Sequence, residues 1–275
     1  YHGLIYDAAG KCVGGPGQPN IPAKAKGRSF PVVERHQSIW IWMGDAARAD
    51  TSQIIDYPYH DQPAKWPHRK DVFAMKCNYL LMIDNLMDLT HLGYVHSRTI
   101  GGNPKAHVAA ETETKPTANG CHLMRWMLDC QPPPTFVKGV GFKGKVDRWQ
   151  DFEYVAPGVV LQWSGAIDVG KGARQNREQD GFHIRLFHAA TPETDNTFFY
   201  FWSTANGYRQ NDPQATQDMY DEVFPTFLED KAIMEAQQSR IDLDPARELV
   251  GIRADGALAL ARIALGRMHA AEHAG

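Results

Sequence analysis

Apolar residues recur along this chain in two rhythms. One is short and strand-like, and the other recurs at three-to-four spacing. The runs "GLIYD", "SFPVVERH" and "SIWIWMGD" are strand-like, and the turn signals "AAGK" and "GGPGQPN" separate them. Residues 1–46 are therefore predicted to form a small β unit, with a polar, proline-containing connector from Ala47 to His68. "VFAMKCNYLLMID" mixes both rhythms. Between 107 and 205, "HLMRWMLD", "RWQDFEYVAPGVVLQWSGAI", "GFHIRLFHAATP" and "TFFYFWSTA" read as strands, with Gly, Pro, Asn and Asp in the turns of an antiparallel sheet. "GKGARQNREQ" at 170–179 reads as a mobile solvated loop and a candidate lid. "PQATQDMYDEVFPTFLEDKAIMEAQQSRID" reads as helix, broken or kinked at Pro225. "ADGALALARIALGRMHAAE" predicts a last helix with one apolar face, expected to cover the sheet. Strands followed by helices make an α+β chain, not an alternating parallel one.

The 275 residues suffice for one sizeable domain or two smaller ones, and 43% hydrophobic content supports a packed core. A net charge of −3 without a long basic run points away from nucleic acid and from an anionic membrane surface. Apolar runs stay well short of the roughly 20 residues that span a bilayer. The chain opens on Tyr1–His2–Gly3, without an initiator Met or signal peptide, so a preceding portion is expected to be removed or absent here. Cys12, Cys77, Cys121 and Cys130 show neither CxxC spacing nor a disulfide framework, and they read as free structural thiols of a cytoplasmic protein.

One segment combines strong apolarity with polar chemistry. "NYLLMIDNLMDLTHLGYVHS", residues 78–97, sets Asn85, Asp88, His91 and His96 among Leu, Met, Ile and aromatics. If residues 80–92 are helical, Asn85, Asp88 and His91 share one side. His96 is then about 140° from His91 on a regular helix. Both imidazoles meet at one metal only if a helix end, π-bulge or turn intervenes, and Gly93 is placed to permit one. Paired imidazoles suit zinc, copper or iron, and one carboxylate would complete an open facial triad for Fe(II). Asp88 is close enough to be either that ligand or the outer partner of a histidine. On spacing alone, histidines satisfied by backbone groups in a core or interface remain the alternative.

The start of the chain changes that balance. "YHGLIYDAAGKCV" resembles the second half of a Rieske motif, in which C-x-H and C-x-x-H pairs hold a [2Fe–2S] cluster. The ordered series "YHG", "VERxxxIWIWxGD", "NYxLMIDNLMDLTHxxYVH" and "FxEDKAIxEAQQ" resembles the oxygenase component of Rieske non-haem iron oxygenases. The resemblance is strongest to the vanillate O-demethylase group, with its relatives acting on benzoates and arylsulfonates, and it covers essentially the whole chain. The C-x-H pair and the second cluster cysteine are absent, so this chain alone cannot assemble the cluster.

The resemblance implies the remainder of a Rieske domain at 1–46. It also implies a catalytic domain at 47–275, a curved antiparallel sheet flanked by helices of helix-grip, START-like form. It makes His91, His96 and Asp230 ligands of a mononuclear iron, with Glu229 as the rival to Asp230, and His2 a ligand of the Rieske cluster. Asp88 becomes the carboxylate that orients an iron histidine and reaches a cluster histidine of the adjacent subunit. Asn85 is placed beside the iron. His188, in "LFHAATPETD", matches a histidine that holds a substrate's acid group, although a strand histidine bonded to a neighbour is the plain alternative. Trp163, Trp202 and Asn206 are possible pocket residues without an assigned role.

The activity implied is O₂-dependent oxidation of a small aromatic acid, with O-demethylation of a methoxybenzoate such as vanillate foremost. Its cofactors are the [2Fe–2S] cluster, Fe(II) and O₂. Electrons come from NADH through a flavin and iron–sulfur reductase or ferredoxin, and the assembly is a homotrimer. In the resembling demethylases the methyl carbon is hydroxylated, and the hemiacetal collapses to a phenol and formaldehyde. Aryl-methyl hydroxylation and ring dihydroxylation are the enzymatic alternatives. A ligand-binding module of the same architecture is the non-enzymatic one, opposed by the retained His91, His96 and Asp230.

Overall fold

The computed structural model describes residues 2–17, 19–177 and 181–273. Two compact units divide the chain, Tyr1–Asp61 and Gln62–Gly275.

The first unit holds two hairpins. β1 (Ile5–Tyr6) pairs with β2 (Cys12–Gly14) across a turn in which Asp7 Oδ1 accepts from the Ala9 and Lys11 amides, at 3.0 and 2.9 Å. The short acceptor side chain makes that turn locally. β3 (Val32–Arg35) pairs with β4 (Ser38–Ile41) around His36 and Gln37, both at positive φ as a two-residue hairpin turn demands. Three short 3-10 turns over residues 46–61 complete the unit, so much of the expected connector packs here.

The second unit is built on one antiparallel sheet of seven strands. Its strands are β5 (His68–Met75), β6 (Glu111–Pro116), β7 (Gly120–Cys130), β8 (Val146–Val155), β9 (Val159–Asp168), β10 (Phe182–Thr194) and β11 (Thr197–Asn206). Their order is β5-β11-β10-β9-β8-β7-β6. β6, "ETETKP", carries no apolar rhythm, which is why the sequence pattern misses it; among the described residues it is an edge strand that pairs only with β7. Helices are α1 (Tyr79–Met87), α2 (Leu92–Val95), α3 (Pro104–Val108), α4 (Pro134–Val140), α5 (Pro213–Ile241) and α6 (Gly256–His273).

Strand alternation divides the sheet into two faces. Phe73, Leu123, Phe152, Val160, Leu186, Tyr200 and Trp202 form the main core with buried residues of α1, α5 and α6. The opposite face holds a smaller cluster of Trp126, Trp149 and Ile167. The loop expected to be solvated docks on this second face. Ala173 is buried, Arg174 lies over Trp126, and Arg177 lies over Trp163 while binding Asp151 at 2.6 Å. Cation–π contact and an ion pair hold Arg174 and Arg177 against the sheet. Residues 178–179 of the loop lie outside the described set.

α5 continues through Pro225 instead of breaking there. Packing against β5 and β11 holds it, and Thr226 Oγ1 donates to the Glu222 carbonyl at 2.8 Å. α6 covers β6 and β7, as expected of the last helix. Among the described residues no helix is long and apolar enough to cross a membrane. The four cysteines are free, and burial raises the Cys77 and Cys121 thiols to about 11, which keeps them inert.

Candidate metal centre

The polar island lies where α1 ends. Asn78 caps the helix, its Oδ1 accepting from the Leu80 amide at 2.9 Å. Leu81, Met82, Ile83, Leu86 and Met87 bury the apolar side. Side chains of the neighbouring helices hold α1 in place: Glu235 and Gln238 of α5 accept from the Lys76 and Asn78 amides at 2.9 Å, and Arg262 of α6 grips the Asp84 carboxylate. Asp84 is thus structural.

The helix stops at Met87, and Asp88 is already extended at φ −116°, ψ 100°. Asp88 Oδ1 accepts from the Thr90 amide at 2.9 Å and from Thr90 Oγ1 at 2.7 Å. Such local bonds offer the backbone an alternative to helix. The chain therefore turns before His91, not at Gly93 as the sequence led us to expect. His91 precedes α2 and His96 follows it, so this single helical turn, ending at the non-helical His96, brings both rings to one place. Gly93 serves a different purpose, because a Cβ there would lie 2.6 Å from Pro104 Cα. At Gly101 a Cβ would lie 1.9 Å from the Leu92 carbonyl oxygen. Gly101→Ala is expected to destabilise the protein by about 1–3 kcal/mol, the usual cost of overpacking, read as a lower midpoint in denaturant.

Asp230 of α5 completes the cluster. Its Oδ1 lies 3.0 Å from His96 Nε2 and 3.6 Å from His91 Nε2, and the three ligand atoms lie within 4.8 Å of one another. Each imidazole spends its other nitrogen elsewhere: His91 Nδ1 on the Asp88 carbonyl at 2.6 Å, and His96 Nδ1 on Glu229 Oε2 at 2.7 Å. That pattern leaves both Nε2 atoms free to face an ion. Ligands about 2.1 Å from an ion and at right angles to one another are about 3.0 Å apart, so the residues fit a mononuclear ion in a two-histidine, one-carboxylate site. Among the described residues this is the group of metal-ligating side chains that comes together.

Glu229, the rival ligand, is instead the outer partner of His96. The carboxylate contact expected from Asp88 to an iron histidine is made by its main-chain carbonyl, because its Oδ1 is engaged by Thr90. Asn85 Nδ2 donates to Asp230 Oδ1 at 3.0 Å, which places it against the histidine–aspartate cluster. Burial pushes His91 below the ordinary imidazole range. Burial opposes charge on His96 too, but Asp230 and Glu229 outweigh it and raise that ring. An arriving ion must displace this proton.

His188 stands on β10 with the main core face, fully buried. Tyr200 Oη donates to Nδ1 at 2.6 Å, and Nε2–H donates to Gln162 Oε1 at 3.0 Å; Gln162 Nε2 in turn donates to Ser164 Oγ at 2.8 Å. Burial pushes His188 down to about 3, so it is neutral and a hydrogen-bond donor. Its ring packs on Phe227, three residues before Asp230 on α5. Gln162 and Tyr200 carry no sequence signal, since polar residues on strands acquire this meaning only when the register brings them beside His188. Trp163 lies on the opposite face, Trp202 packs among Phe73, Tyr220 and Phe227, and Asn206 bonds Tyr208 and Thr216. His2 stands in the first unit, exposed and at φ 58°, outside the histidine–aspartate cluster.

Residues 75–271 match the family model described as the vanillate O-demethylase oxygenase C-terminal domain. The chain belongs to the family of Rieske oxygenase components. Over its whole length it is 37% identical to the iron–sulfur subunit of a toluene-4-sulfonate monooxygenase system from Comamonas testosteroni, spanning 80% of that protein. It is 34% identical, again over its whole length, to a vanillate O-demethylase oxygenase subunit from Pseudomonas sp. (strain ATCC 19151), spanning 84% of it. The structure of dicamba monooxygenase bound to 3,6-dichlorosalicylic acid superposes with a TM-score of 0.88 at 29% identity, covering all of this chain and 80% of that one. As an oxygenase component the chain is part of an enzyme, and the family's chemistry is iron-based. The α+β architecture expected from the sequence, an antiparallel sheet with flanking helices, is the one found.

Proposed function

We propose that this chain is the terminal oxygenase of a multicomponent monooxygenase acting on a small substituted aromatic acid, and that O-demethylation of a methoxybenzoate is its reaction. The observation that carries this reading is the pairing of two sites through α5. Asp230 joins His91 and His96, and Phe227 of the same helix packs on the buried, neutral His188. In this reading His91, His96 and Asp230 would hold a mononuclear iron, which would supply O₂ activation with electrons from a Rieske [2Fe–2S] cluster. Asn85 fixes the Asp230 carboxylate, while Glu229 and the Asp88 carbonyl hold the histidine tautomers. His188 Nε2–H, exchanging its Gln162 partner, receives an oxygen of the substrate's acid group, and the surrounding core excludes water.

In the same reading His2 is one ligand of the cluster. Residues 1–46 form the end of the Rieske domain, and residues 47–275 are the catalytic domain. The Asp88 carboxylate links the iron site to the cluster of an adjacent subunit in a homotrimer, and a separate flavin and iron–sulfur reductase or ferredoxin supplies electrons from NADH.

A second reading, hydroxylation of an aryl methyl group, is favoured by the 37% identity to the toluene-4-sulfonate monooxygenase subunit. The two differ in product. Assayed with reductase and NADH on methoxybenzoates and methylbenzenesulfonates, the enzyme is expected to release formaldehyde with the corresponding phenol. A benzylic alcohol without formaldehyde would transfer the assignment to the second reading. Inactivity on both classes would overturn the substrate proposal.

A further inference from the structure

Two arginines lie in the core of the catalytic unit, on the sheet face that meets the helices. Arg125 on β7 is 4% exposed and Arg148 on β8 is 2% exposed. Burying a cation is costly unless it is fully bonded, and a carboxylate is its usual partner. Among the described residues neither guanidinium is held by one. Arg125 Nη1 donates to the Leu89 carbonyl at 3.1 Å and to Gln150 Oε1 at 3.0 Å, and its Nη2 donates to the His107 carbonyl at 2.7 Å. Arg148 Nη1 donates to the Gly101 carbonyl at 2.8 Å, and its Nη2 donates to the Ile100 carbonyl at 2.7 Å. Burial lowers both to about 10, which leaves them cationic at neutral pH.

The four carbonyls share one location in the chain. Leu89 and His107 are the two ends of the segment that carries His91 and His96, and Ile100 and Gly101 lie within it. The bonds interlock: His107 Nε2 donates to the Gly101 carbonyl at 2.9 Å, and the Gly101 amide donates to the His96 carbonyl at 2.9 Å. Leu89 is one residue from Asp88, whose carbonyl holds His91 Nδ1. A hydrocarbon side chain would fill the same core space without a buried charge but would remove the arginine bonds to these carbonyls, leaving the Gly101 carbonyl its bond from His107. The planar fork of a guanidinium presents its donors to separated acceptors in a fixed geometry, whereas the ammonium of lysine is one compact point of charge.

We propose that Arg125 and Arg148 are positioning residues of the metal centre: they grip the main-chain carbonyls that bracket residues 89–107 and so hold the His91 and His96 imidazoles in the arrangement that accepts an ion. This rests on the reading of His91, His96 and Asp230 as metal ligands.

The test titrates cobalt(II), an optical stand-in for iron(II), into metal-free enzyme carrying Arg125→Met, Arg125→Lys, Arg148→Met or Arg148→Lys. Circular dichroism at the titration temperature gives the folded fraction of each, and His91→Ala is titrated in parallel. In the folded fraction the methionine variants are expected to bind cobalt about 10–100-fold more weakly, the range for an outer partner of a ligand. Their visible cobalt spectrum should change, and the lysine variants should recover part of the loss. Wild-type affinity and spectrum in the methionine variants would overturn the proposal. So would an affinity loss that merely follows the unfolded fraction, since the arginines would then only support the fold. If His91→Ala binds cobalt like the wild type, the ligand reading itself has failed, whatever the arginine variants do.

Discussion

His91→Ala is expected to abolish retention of the mononuclear iron and, with it, turnover. In the proposed site the imidazole supplies one of the three side-chain ligands, and its Nδ1 meets the Asp88 carbonyl at 2.6 Å. Without it, His96 and Asp230 remain as a two-point site, with nothing in place of the missing nitrogen. The loss of affinity should exceed the roughly 10–100-fold that removal of an outer partner costs. The ring is about a fifth exposed, so truncation should leave the buried core around α1 intact. Metal analysis of the purified enzyme, with the cluster's own iron subtracted, is the direct measurement. Mononuclear iron undiminished in the variant would remove His91 from the ligand set.

Asp88→Asn should separate iron binding from electron delivery. The structure explains why the iron should stay. An asparagine Oδ1 can accept the same two bonds from Thr90, and the carbonyl that holds His91 belongs to the main chain. The substitution removes the negative charge and, on the proposed reading, the acceptor that the second carboxylate oxygen offers to a cluster histidine of the neighbouring subunit. Iron content should therefore match the wild type, and the reductase should still reduce the cluster. Product formation should fall about 10–100-fold, the cost of losing an outer carboxylate partner. A single turnover started from a pre-reduced cluster reads this step alone. Iron loss in Asp88→Asn would make the carboxylate a ligand and displace Asp230. Near-normal turnover would reduce the carboxylate to the cap of α1 that the Thr90 bonds already make it.

The bond pattern also limits what each carboxylate of the site can do. Glu229 and Asp230 are adjacent on α5, yet one meets Nδ1 and the other Nε2 of the same His96 ring. A helix points consecutive residues about 100° apart, so adjacent carboxylates can meet the two nitrogens of one imidazole from different sides. The choice between them was open from residue types alone and followed only from the family resemblance.

Much was legible without coordinates. The strands over 122–129, 148–167, 181–192 and 197–205 carry alternation and turn residues strong enough to define an antiparallel sheet, and the sheet contains them all. The two long helices over 213–242 and 254–272 are equally plain. Asn85, Asp88, His91 and His96 stood out because a polar group on an apolar helix needs a partner. Tertiary structure decided what those partners are. The docking of residues 173–177 and the continuity of α5 through Pro225 each override a local preference by contacts distant in sequence, whereas the break after Met87 follows from the local Asp88–Thr90 bonds. Arg125, Arg148, Gln162 and Tyr200 read as ordinary strand residues until the register aligns them. The sequence by itself thus determined the long sheet strands, the two long helices and the polar side chains that stand out on α1, because periodicity and burial cost are local properties; it left β6 and the short helices undetermined. Only the fold decided which nitrogen meets which oxygen, because those pairings span more than a hundred residues and form when the sheet and α5 close on one core.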